Sequence, residues 1–446
     1  MKMFENIQFP SGAMSIIESL KEKGFKGYFV GGCVRDLLLG KTPSEWDITT
    51  DATPDQVSGL FQKVIPTGIE FGTVTVLIND QAYEVTTFRR DERYADGRHP
   101  ASVTFSKSLD EDLSRRDFTI NAMAYDPKTG EFVDRFSGTE DLKAKLIRTV
   151  GDPVLRFKED GLRSVRACRF AAVLEFDIEE KTFMAIPDTL DITKKVAIER
   201  VHDEIVKMLS APKPSIGFEL MRKSGLLKLF IPELEDCLGV EQPPKYHKYD
   251  VYWHSLYSCD AAPQDNMICR LAALLHDISK PACKVDYTFY NHDKVGVDVA
   301  ERILKRLRFG NDDIESISNL ISNHMFDYKS EWSDAAVRRF IRRVGMENID
   351  NLFLLRKADT RAMEKEIDDS YLNELKSRID KIIAEENALH IKDLKIDGMD
   401  VMRELDISAG PKVGEVLSAL LEKVLDDPSL NEREKLLEMI KAYENN

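Results

Sequence analysis

Residues 28–40 have the sequence YFVGGCVRDLLLG, in which an apolar run meets a pair of glycines and a segment of helical spacing follows. The apolar run predicts a short strand and residues 34–39 predict a helix, so Gly31 and Gly32 form the turn between them. Glycines at such a turn let main-chain N–H groups approach a triphosphate, and a helix N-terminus favours anions. Arg35, in the first helical turn, is then placed to contact a phosphate oxygen. For the glycine pair alone, a plain structural turn is the commoner case.

Two acidic residues, Glu45 and Asp47, follow in a strand predicted around residues 46–50. Side chains two positions apart on a strand point to the same face, so the two carboxylates are expected to converge. Carboxylates that close repel each other unless a cation lies between them, and Mg²⁺ bound to substrate phosphates is a common partner. Glu84, on the second strand of a hairpin predicted over 73–88, is a candidate third carboxylate. Taken in isolation, the pair is better explained as exposed charges at a strand edge.

The order of the patterns predicts a small α/β head and a long helical remainder. Residues 11–23 predict a helix, and the hairpin is expected to turn at Asn79 and Asp80. The polar stretch 89–106 contains glycine and proline and predicts a mobile surface loop. From residue 153 onward almost every segment has helical spacing.

Length and charge narrow the function classes. A chain of 446 residues suggests about three domains at roughly 150 residues each. Its 63 basic and 78 acidic side chains give a net charge of −15, which argues against general affinity for nucleic acid and against DNA as a partner. Residues 113–223, however, carry 20 basic and 19 acidic side chains, so a local patch there is compatible with phosphate contacts.

The sequence also favours a cytoplasmic location. No apolar stretch approaches the roughly 18 residues that a membrane span needs, so no membrane association is expected. The first residues, MKMFEN, lack the basic-then-apolar pattern of a secretion signal. The six cysteines are never closer than ten residues apart, which argues against a CxxC metal site and against a disulfide framework. The oligomeric state does not follow from the sequence.

Several motifs carry a resemblance to a known family. Residues 31–40 (GGCVRDLLLG), 46–50 (WDITT) and 115–124 (RRDFTINAMA) closely resemble the class II tRNA nucleotidyltransferases, the CCA-adding enzymes, which share a superfamily with bacterial poly(A) polymerases. The resemblance continues in order through GDP at 151–153, RFKEDGLR at 156–163, Arg166, RFAA at 169–172 and Glu199-Arg200.

The resemblance implies an α+β fold and an activity. A small polymerase β-like α/β head (1–150) is expected to precede an elongated all-α neck (151–215), a body with an HD domain (216–375) and a tRNA-binding tail (376–446). The implied activity is Mg²⁺-dependent addition of the 3′-terminal CCA, or part of it, to tRNA from CTP and ATP without a nucleic-acid template. Glu45, Asp47 and Glu84 would be catalytic, with Mg²⁺ on Glu45 and Asp47. The nucleotide-binding positions fall on Gly31, Gly32, Arg35, Arg116, Asp117, Asn121, Asp160, Arg163, Arg166 and Arg169.

One departure from the family concerns the metal-binding pair. The family generally has Asp-x-Asp, whereas this chain has Glu45 followed by Asp47 at that spacing. The extra methylene moves the carboxylate outward, and metal geometry tolerates little displacement. A changed metal preference or an inactive head is therefore an alternative.

A base-reading pair is expected on a helix predicted over 153–174. Asp160 and Arg163 are three residues apart, so they would be neighbours on one helix face. Aspartate offers acceptors and arginine offers donors, which suits the amino group and ring nitrogen of cytosine or adenine. Guanine and uracil present the opposite pattern and leave both groups mispaired. An ion-paired solvated surface, with Glu159 beside Arg163, is the alternative.

A second constellation lies in the helical half of the chain. His254, the pair His276-Asp277 and Asp359 follow the order of the HD phosphohydrolase superfamily, which this region resembles. Imidazole and carboxylate groups suit a divalent metal. His292 and His324 match positions that bind a second metal in some members of that superfamily. Most histidines on helices are nevertheless structural or exposed.

Three other functions compete with CCA addition. A poly(A) polymerase would accept ATP and varied RNAs, but the net charge of −15 counts against it. A metal-dependent hydrolase would use the HD site as its main activity, with the head serving for recognition. A non-enzymatic RNA-binding protein would have lost both sites. Addition of CC only or A only remains an alternative to full CCA addition.

Overall fold

The structure is a computed structural model that describes residue 4 and residues 7–91, 103–245, 247–363, 368–385 and 389–443. Contacts between Cα atoms divide the chain into two units, residues 1–235 and residues 236–446. The first unit contains a mixed sheet followed by helices, and the second is built from helices. The predicted α+β class with a mixed head and a helical remainder is therefore confirmed. The division into four regions stays a prediction.

A seven-stranded sheet forms the centre of the head. In spatial order its strands are β3 (Val64–Gly68), β4 (Thr73–Ile78), β5 (Gln81–Thr87), β2 (Ile48–Thr50), β1 (Gly27–Val30), β8 (Met123–Tyr125) and β9 (Phe132–Asp134). The β2 and β5 strands run parallel, and the other neighbours are antiparallel. Two short pairs lie outside this sheet, namely β6 (Arg89–Asp91) with β7 (Val103–Phe105) and β10 (Leu146–Ile147) with β11 (Asp177–Ile178).

Local sequence signals account for most of the head. The predicted strand, glycine turn and helix are observed as β1, a Gly31 with φ of +79°, and a helix from Gly32 to Leu38. The hairpin of β4 and β5 turns at Asn79 and Asp80, with φ of 50° and 61°, the left-handed values that a two-residue hairpin turn requires. The strand predicted over 46–50 begins only at Ile48, so Glu45 and Asp47 lie just before it.

Thirteen α-helices are found among the described residues of the first unit. They are α1 (Ser11–Glu22), α2 (Gly32–Leu38), α3 (Pro54–Leu60), α4 (Leu109–Ser114), α5 (Gly138–Lys143), α6 (Pro153–Glu159), α7 (Leu162–Leu174), α8 (Glu180–Met184), α9 (Leu190–Thr193), α10 (Ile198–Leu209), α11 (Pro214–Lys223), α12 (Leu226–Phe230) and α13 (Pro232–Glu235). The predicted surface loop falls largely on residues 92–102, which lie outside the described residues.

The prediction of one helix over 153–174 is wrong. The helix stops at Glu159, Asp160 adopts an extended conformation with φ of −142°, and α7 restarts at Leu162. The main chain of Gly161 packs against α9, where an added Cβ would come within 2.7 Å of the Cα of Thr193. Its carbonyl accepts hydrogen bonds from the hydroxyls of Ser164 and Thr193 at 2.7 and 3.1 Å. These long-range contacts, invisible in local spacing, set the break.

Eleven helices are described in the second unit. They are α14 (Val251–Ala261), α15 (Met267–Leu275), α16 (Lys280–Cys283), α17 (His292–Arg306), α18 (Asn311–Asn323), α19 (Asp334–Val344), α20 (Met346–Ala362), α21 (Ser370–Ala384), α22 (Gly398–Glu404), α23 (Pro411–Asp426) and α24 (Arg433–Tyr443). Asp397 caps α22 by accepting from the Met399 and Asp400 N–H groups. In the described stretches, none of the helices is long and apolar enough to traverse a lipid bilayer.

Candidate functional site

Sheet register places two of the three predicted carboxylates, Asp47 and Glu84, next to each other, and the charge of Glu45 acts on both. Ile48 of β2 pairs with Val85 of β5, so the preceding residues, Asp47 and Glu84, are adjacent on the two parallel strands. Burial raises the pKa of Asp47, the charge of Arg116 lowers it and Glu45 raises it further, with a net shift upward. Burial and the charges of Asp47 and Glu45 also raise the pKa of Glu84. Three mutually repelling carboxylates, of which Asp47 is half-buried, have the donor chemistry that a divalent cation requires.

An arginine closes the space above the glycine turn. A Cβ at Gly31 would lie 3.0 Å from Nη1 of Arg116 and 3.8 Å from Oδ2 of Asp47, so only glycine leaves room there. The buried carboxylate of Asp112 forms an ion pair with Arg116 at 3.5 Å. Asp112 also accepts from Arg115 at 2.6 Å and from the hydroxyl of Thr49 at 3.2 Å. The Arg116 guanidinium thus lies directly against the glycine turn, and this group is here called the arginine wall.

Four predicted nucleotide-binding residues form one hydrogen-bond network. Arg35 donates to Asn121 at 2.8 Å, and Asn121 donates to Asp117 at 3.1 Å. Arg166 donates twice to the same oxygen of Asp117, at 2.9 and 2.6 Å. Burial alone would raise the pKa of Asp117, but the Arg166 guanidinium outweighs burial and brings the pKa well below its ordinary value. Asp117 is therefore a fixed anion that orients two cations.

The guanidinium groups of this network gather around one ring. The centroid of Phe170 lies 5.2 Å from Arg35, 5.4 Å from Arg166 and 3.6 Å from Arg169. Arg169 also donates to the buried carboxylate of Glu204 at 2.7 Å. A cluster of oriented cations of this kind suits an anionic ligand such as a triphosphate.

Asp160 and Arg163 are each held by a different partner. Arg200 donates to both oxygens of Asp160, at 3.1 and 2.7 Å. Arg163 donates to Glu159 at 2.7 Å and to the main-chain oxygens of residues 156 and 115 at 3.1 and 2.9 Å. The expected placement of the pair on one continuous helix is wrong, because Asp160 lies in the break before α7. Three of the five guanidinium donors of Arg163 are used in these bonds, so donors remain for a ligand.

Sequence reasoning missed the residues that hold these side chains. Asp112, Arg200 and Glu204 were assigned no role, although each contacts a predicted site residue. Asp112 had a usable signal, since it lies three and four residues before Arg115 and Arg116 in the sequence. Arg200 and Glu204 contact partners 40 and 35 residues away, a separation that no local pattern reveals.

The second unit brings all six predicted metal-binding residues together. His254, His276 and Asp359 form one group, and Asp277, His292 and His324 form another, with the ligand atoms of each group within 4.8 Å of one another. They come from α14, α17 and α20 and from the residues that directly follow α15 and α18. One oxygen of Asp277 lies 3.2 Å from His276 and the other lies 3.4 Å from His292, so its carboxylate faces both groups.

Main-chain hydrogen bonds orient three of the four imidazoles. Nδ1 of His276, His292 and His324 lies 2.8, 2.7 and 2.6 Å from the carbonyl oxygen three residues earlier. Carbonyl oxygens accept only, so each Nδ1 carries the proton and each Nε2 directs a lone pair into the cluster. Burial and the neighbouring His276 lower the pKa of His324 to about 4, which keeps this ring neutral.

Several polar atoms of the cluster lack hydrogen bonds, and two of its imidazole nitrogens have the spacing of ligands of one metal ion. Within the described part of the chain, Nε2 of His254 and His276 and both oxygens of Asp277 are buried and complete no hydrogen bond. Nε2 of His292 and His324 lie 3.3 Å apart, a separation that suits two ligands of one metal. Sequence reasoning missed Lys280, which forms an ion pair with Asp277 at 2.7 Å.

Three family models match successive stretches of this chain. Residues 27–148 match the "Poly A polymerase head domain", 175–238 match the "Probable RNA and SrmB- binding site of polymerase A", and 291–440 match the "tRNA nucleotidyltransferase domain 2 putative". The HD superfamily assignment of the second unit is not among these matches and stays a prediction.

Curated relatives and a solved structure extend over the whole length. The CCA-adding enzyme of Lactobacillus helveticus is 52% identical over 214 residues, which span 48% of this chain and 53% of that enzyme. The CCA-adding enzyme of Enterococcus faecalis is 33% identical over 433 residues, covering 96% of this chain and 95% of that enzyme. The crystal structure of the Bacillus stearothermophilus CCA-adding enzyme in complex with CTP aligns with a TM-score of 0.76 at 29% identity, over 97% of both chains. The chain therefore belongs to the family of CCA-adding enzymes.

Proposed function

We propose that this protein adds the 3′-terminal CCA to tRNA from CTP and ATP without a nucleic-acid template. The observation that carries the proposal is the adjacency of the Glu45, Asp47 and Glu84 carboxylates to the glycine turn and its arginine wall. In the reaction, the tRNA 3′-oxygen forms a bond to the α-phosphorus while the bond from that phosphorus to the pyrophosphate oxygen breaks. The 3′-hydroxyl proton leaves with the solvent.

The carboxylates would hold Mg²⁺, which supplies charge neutralisation for the phosphates and the leaving pyrophosphate. Glu45 and Asp47 are its proposed ligands, with Glu84 as the third carboxylate. The N–H of Gly31 donates to the Met123 carbonyl at 3.2 Å, so Gly31 shapes the turn and Gly32, the first residue of α2, is the glycine proposed to offer its main-chain N–H to the triphosphate. Arg116 and Arg35 are proposed to contact the phosphate oxygens. Asp117 and Asn121 position Arg166 and Arg35 and lie next to the sugar.

Selection of the base is assigned to Asp160 and Arg163. Asp160 keeps acceptor capacity beyond its bonds to Arg200, and Arg163 keeps N–H donors beyond its three bonds. The amino group and ring nitrogen of cytosine or adenine match this acceptor and donor. Guanine and uracil would leave the groups unpaired, at about 1–3 kcal/mol for each buried group.

The experiment uses three tRNA transcripts that end before CCA, after C and after CC, each offered one labelled nucleotide at a time. CTP should be incorporated on the first two and ATP on the third, with UTP and GTP rejected. Asp47→Asn should abolish incorporation, whereas Asp80→Asn, at an exposed turn position, should leave it unchanged. Ready incorporation of UTP would defeat the base-reading assignment, and long untemplated A tails would indicate a poly(A) polymerase instead. Incorporation on only some transcripts would identify a CC-adding or A-adding enzyme.

A second function is supported by the unpaired ligand atoms of the second unit. We infer that His254, His276, Asp277 and Asp359 bind a divalent metal, with His292 and His324 as ligands of a second ion. The inward-facing Nε2 atoms and the convergence of imidazole and carboxylate groups within 4.8 Å in each of the two sets carry this inference. A metal there would supply Lewis acidity for phosphate chemistry.

Metal analysis of the purified protein tests this assignment independently of activity. Dialysed protein loaded with Mn²⁺ should retain two ions per chain by mass spectrometry. His324→Ala should lower the count to one, and His202→Ala, outside the cluster, should not change it. CTP incorporation should be unaffected by His324→Ala, and retention of no metal by the wild-type protein would refute the site.

The last region is proposed to contact tRNA phosphates. Lys392 and Lys395 line a cavity of about 350 Å³ together with Arg433. Arg403 and Arg433 both pair with Asp400, so the two lysines carry the charge best placed for phosphate. Replacing both lysines with alanine should weaken tRNA binding without changing affinity for CTP.

A further inference from the structure

Two cavities meet at the metal-ligand cluster of the second unit. The first, about 440 Å³, contains the cluster residues His276, Asp277, His292, His324 and Asp359 and is here called the ligand cavity. The second, about 370 Å³, is here called the side cavity and is lined by Lys294, Asn323, Phe326, Trp332 and Arg343 among others. Met325 belongs to the walls of both. Each volume lies within the range of small-molecule sites, roughly 300–1,000 Å³.

Neighbouring residues in the chain open onto the two cavities. At the start of α17, His292 lines the ligand cavity and Lys294 lines the side cavity. At the end of α18, His324 lines the ligand cavity and Asn323 lines the side cavity. The two cavities therefore share the wall residue Met325 and are lined by residues one or two positions apart in the chain. The side cavity is thus the neighbouring space for a substituent on a phosphate held beside His292 and His324.

The side cavity has the composition of a nucleotide subsite. Lys294 and Arg343 are exposed cations, and Trp332 offers a partly exposed ring. Two carboxylates, Asp293 and Asp327, also line the cavity, and that of Asp327 is paired with Lys329 at 3.4 Å. The Asn323 amide, which is buried, adds hydrogen-bonding capacity. Cations with an aromatic face are the combination by which proteins hold single-stranded nucleic acid, since the ring stacks on a base and the cations meet phosphates.

The opposite wall of the ligand cavity offers a second stacking surface. Phe289 lies beneath Nζ of Lys280, 5.2 Å from the ring centroid, and Tyr290 beside it is 78% exposed. An aromatic surface of that exposure on a cavity rim is available to a base. Aromatic walls thus flank the metal ligands on two sides.

We propose that the two cavities together bind a dinucleotide unit of single-stranded RNA, with its phosphodiester at the metal-ligand cluster. One nucleoside lies against Phe289 and Tyr290, and the other enters the side cavity, where Trp332 stacks on its base and Lys294 and Arg343 meet the next phosphate. This assignment rests on the metal site proposed above and names its ligand class. A mononucleotide would leave the side cavity empty.

The test compares two phosphodiesters of equal charge on the full-length protein loaded with Mn²⁺. The probes are the dinucleotide ApAp, whose 3′-phosphate follows the second nucleoside, and pAp-methyl, which lacks the second nucleoside, both with a phosphorothioate linkage to slow hydrolysis. By calorimetry, ApAp should bind about tenfold more tightly, because stacking of a second base contributes that order of affinity. The double variant Lys294→Ala/Arg343→Ala should lose most of the difference while keeping its affinity for pAp-methyl.

A matched double variant controls for the loss of two positive charges. Lys305 lies on the same helix as Lys294 and pairs with Glu301, and Arg342 adjoins Arg343 but pairs with Glu422. Lys305→Ala/Arg342→Ala should bind both probes as the wild-type protein does. Equal affinity of the wild-type protein for both probes, or full preference in the Lys294/Arg343 variant, would overturn the dinucleotide assignment while leaving the metal site intact. Absence of bound Mn²⁺ would overturn both, and neither result affects CTP incorporation by the head.

Discussion

Arg200 grips both carboxylate oxygens of Asp160, at 3.1 and 2.7 Å, from a helix that begins almost forty residues later in the chain. Asp160 lies in the break between α6 and α7 and has an extended backbone there. One carboxylate oxygen of Asp160 also accepts from the N–H of Leu162 at 3.1 Å, so Arg200 is the side chain that holds both oxygens and fixes the direction of the carboxylate. The residue proposed to read the base is thus oriented by one that does not touch the base.

Loss of this pairing should relax base selection. In Arg200→Gln the Asp160 carboxylate can rotate, so the acceptor no longer meets the amino group of cytosine in one fixed position. We expect the ratio of kcat/KM for CTP over UTP to fall about tenfold, the order that one misplaced hydrogen bond accounts for. Single-nucleotide incorporation on the transcript lacking CCA measures the ratio.

A matched arginine separates positioning from a general loss of charge. Arg222 also pairs with a carboxylate, that of Glu219 on its own helix, and lies outside the proposed site. Arg222→Gln should leave the CTP to UTP ratio unchanged. A ratio that stays the same in Arg200→Gln, with a normal melting temperature, would show that Asp160 is held by other contacts or does not read the base.

Much of the head could be predicted from sequence because its signals are local. Asn79 and Asp80 tolerate the left-handed conformations of a two-residue turn, and alternating apolar residues flank them, so the hairpin follows from a short window. The glycine turn between β1 and α2 is equally local. The placement of Asp47 beside Glu84 could not be predicted from a short window of sequence, because β2 and β5 are parallel and are joined through intervening elements.

The break at Gly161 could not be predicted in this way. Helical spacing continues through residues 153–174, and the chain departs from it because the Gly161 main chain packs on Thr193. The charged residues that hold the site side chains in place were missed for the same reason. Glu204 and Arg200 contact partners 35 and 40 residues away in the chain. Contacts between packed helices cannot be read from the spacing of residues in the sequence. By contrast, the HD-like residues were found by their order in the chain, and the structure brings all six together.

Filling the space at Gly161 should destabilise the first unit. An alanine Cβ would lie within 2.7–2.9 Å of main-chain atoms of Ile192 and Thr193, which cannot move away as a flexible side chain would. We expect Gly161→Ala to lower the free energy of unfolding by about 1–3 kcal/mol, the range for overpacking. Urea unfolding monitored by circular dichroism measures it. Gly59→Ala, at a helical position with open space around it, should be neutral or stabilising, and a neutral Gly161→Ala would contradict the packing described here.

The ion pair of Asp117 predicts a pH-dependent stability. Because the Arg166 guanidinium outweighs burial, the folded-state pKa of Asp117 lies below its unfolded value of 3.8. The stabilisation is therefore fully present above the unfolded pKa and is lost as the pH falls toward the folded pKa. Asp117→Asn should lower the free energy of unfolding by about 1–3 kcal/mol at pH 7, since Arg166 loses two hydrogen bonds to a carboxylate and keeps only Glu204, 3.5 Å away, as an anionic partner.

Urea titrations at several pH values test the sign of this effect. The difference between the wild-type protein and Asp117→Asn should be constant from about pH 7 to pH 5 and should shrink below about pH 4. Asp110→Asn removes a carboxylate whose partner, Arg135, is 60% exposed, so it should cost under about 0.5 kcal/mol at pH 7. A difference that grows in acid would contradict a lowered pKa for Asp117.

Shortening the side chain at position 45 should change the Mg²⁺ dependence of CTP incorporation. Asp47 and Glu84 are set by the register of β2 and β5, so the Glu45 carboxylate must reach them from the segment before β2. Glu45→Asp withdraws that carboxylate by about one bond length, and displacements near 1 Å at a catalytic centre cost up to about a hundredfold in rate. We expect a tenfold or larger fall in CTP incorporation at fixed Mg²⁺ and a rise in the Mg²⁺ concentration for half-maximal rate. Glu70→Asp, an exposed glutamate of the same unit, should change neither quantity. Were Glu45→Asp to match the wild-type rate at every Mg²⁺ concentration, the carboxylate at position 45 would not be a metal ligand, and Asp47 with Glu84 would have to bind the ion.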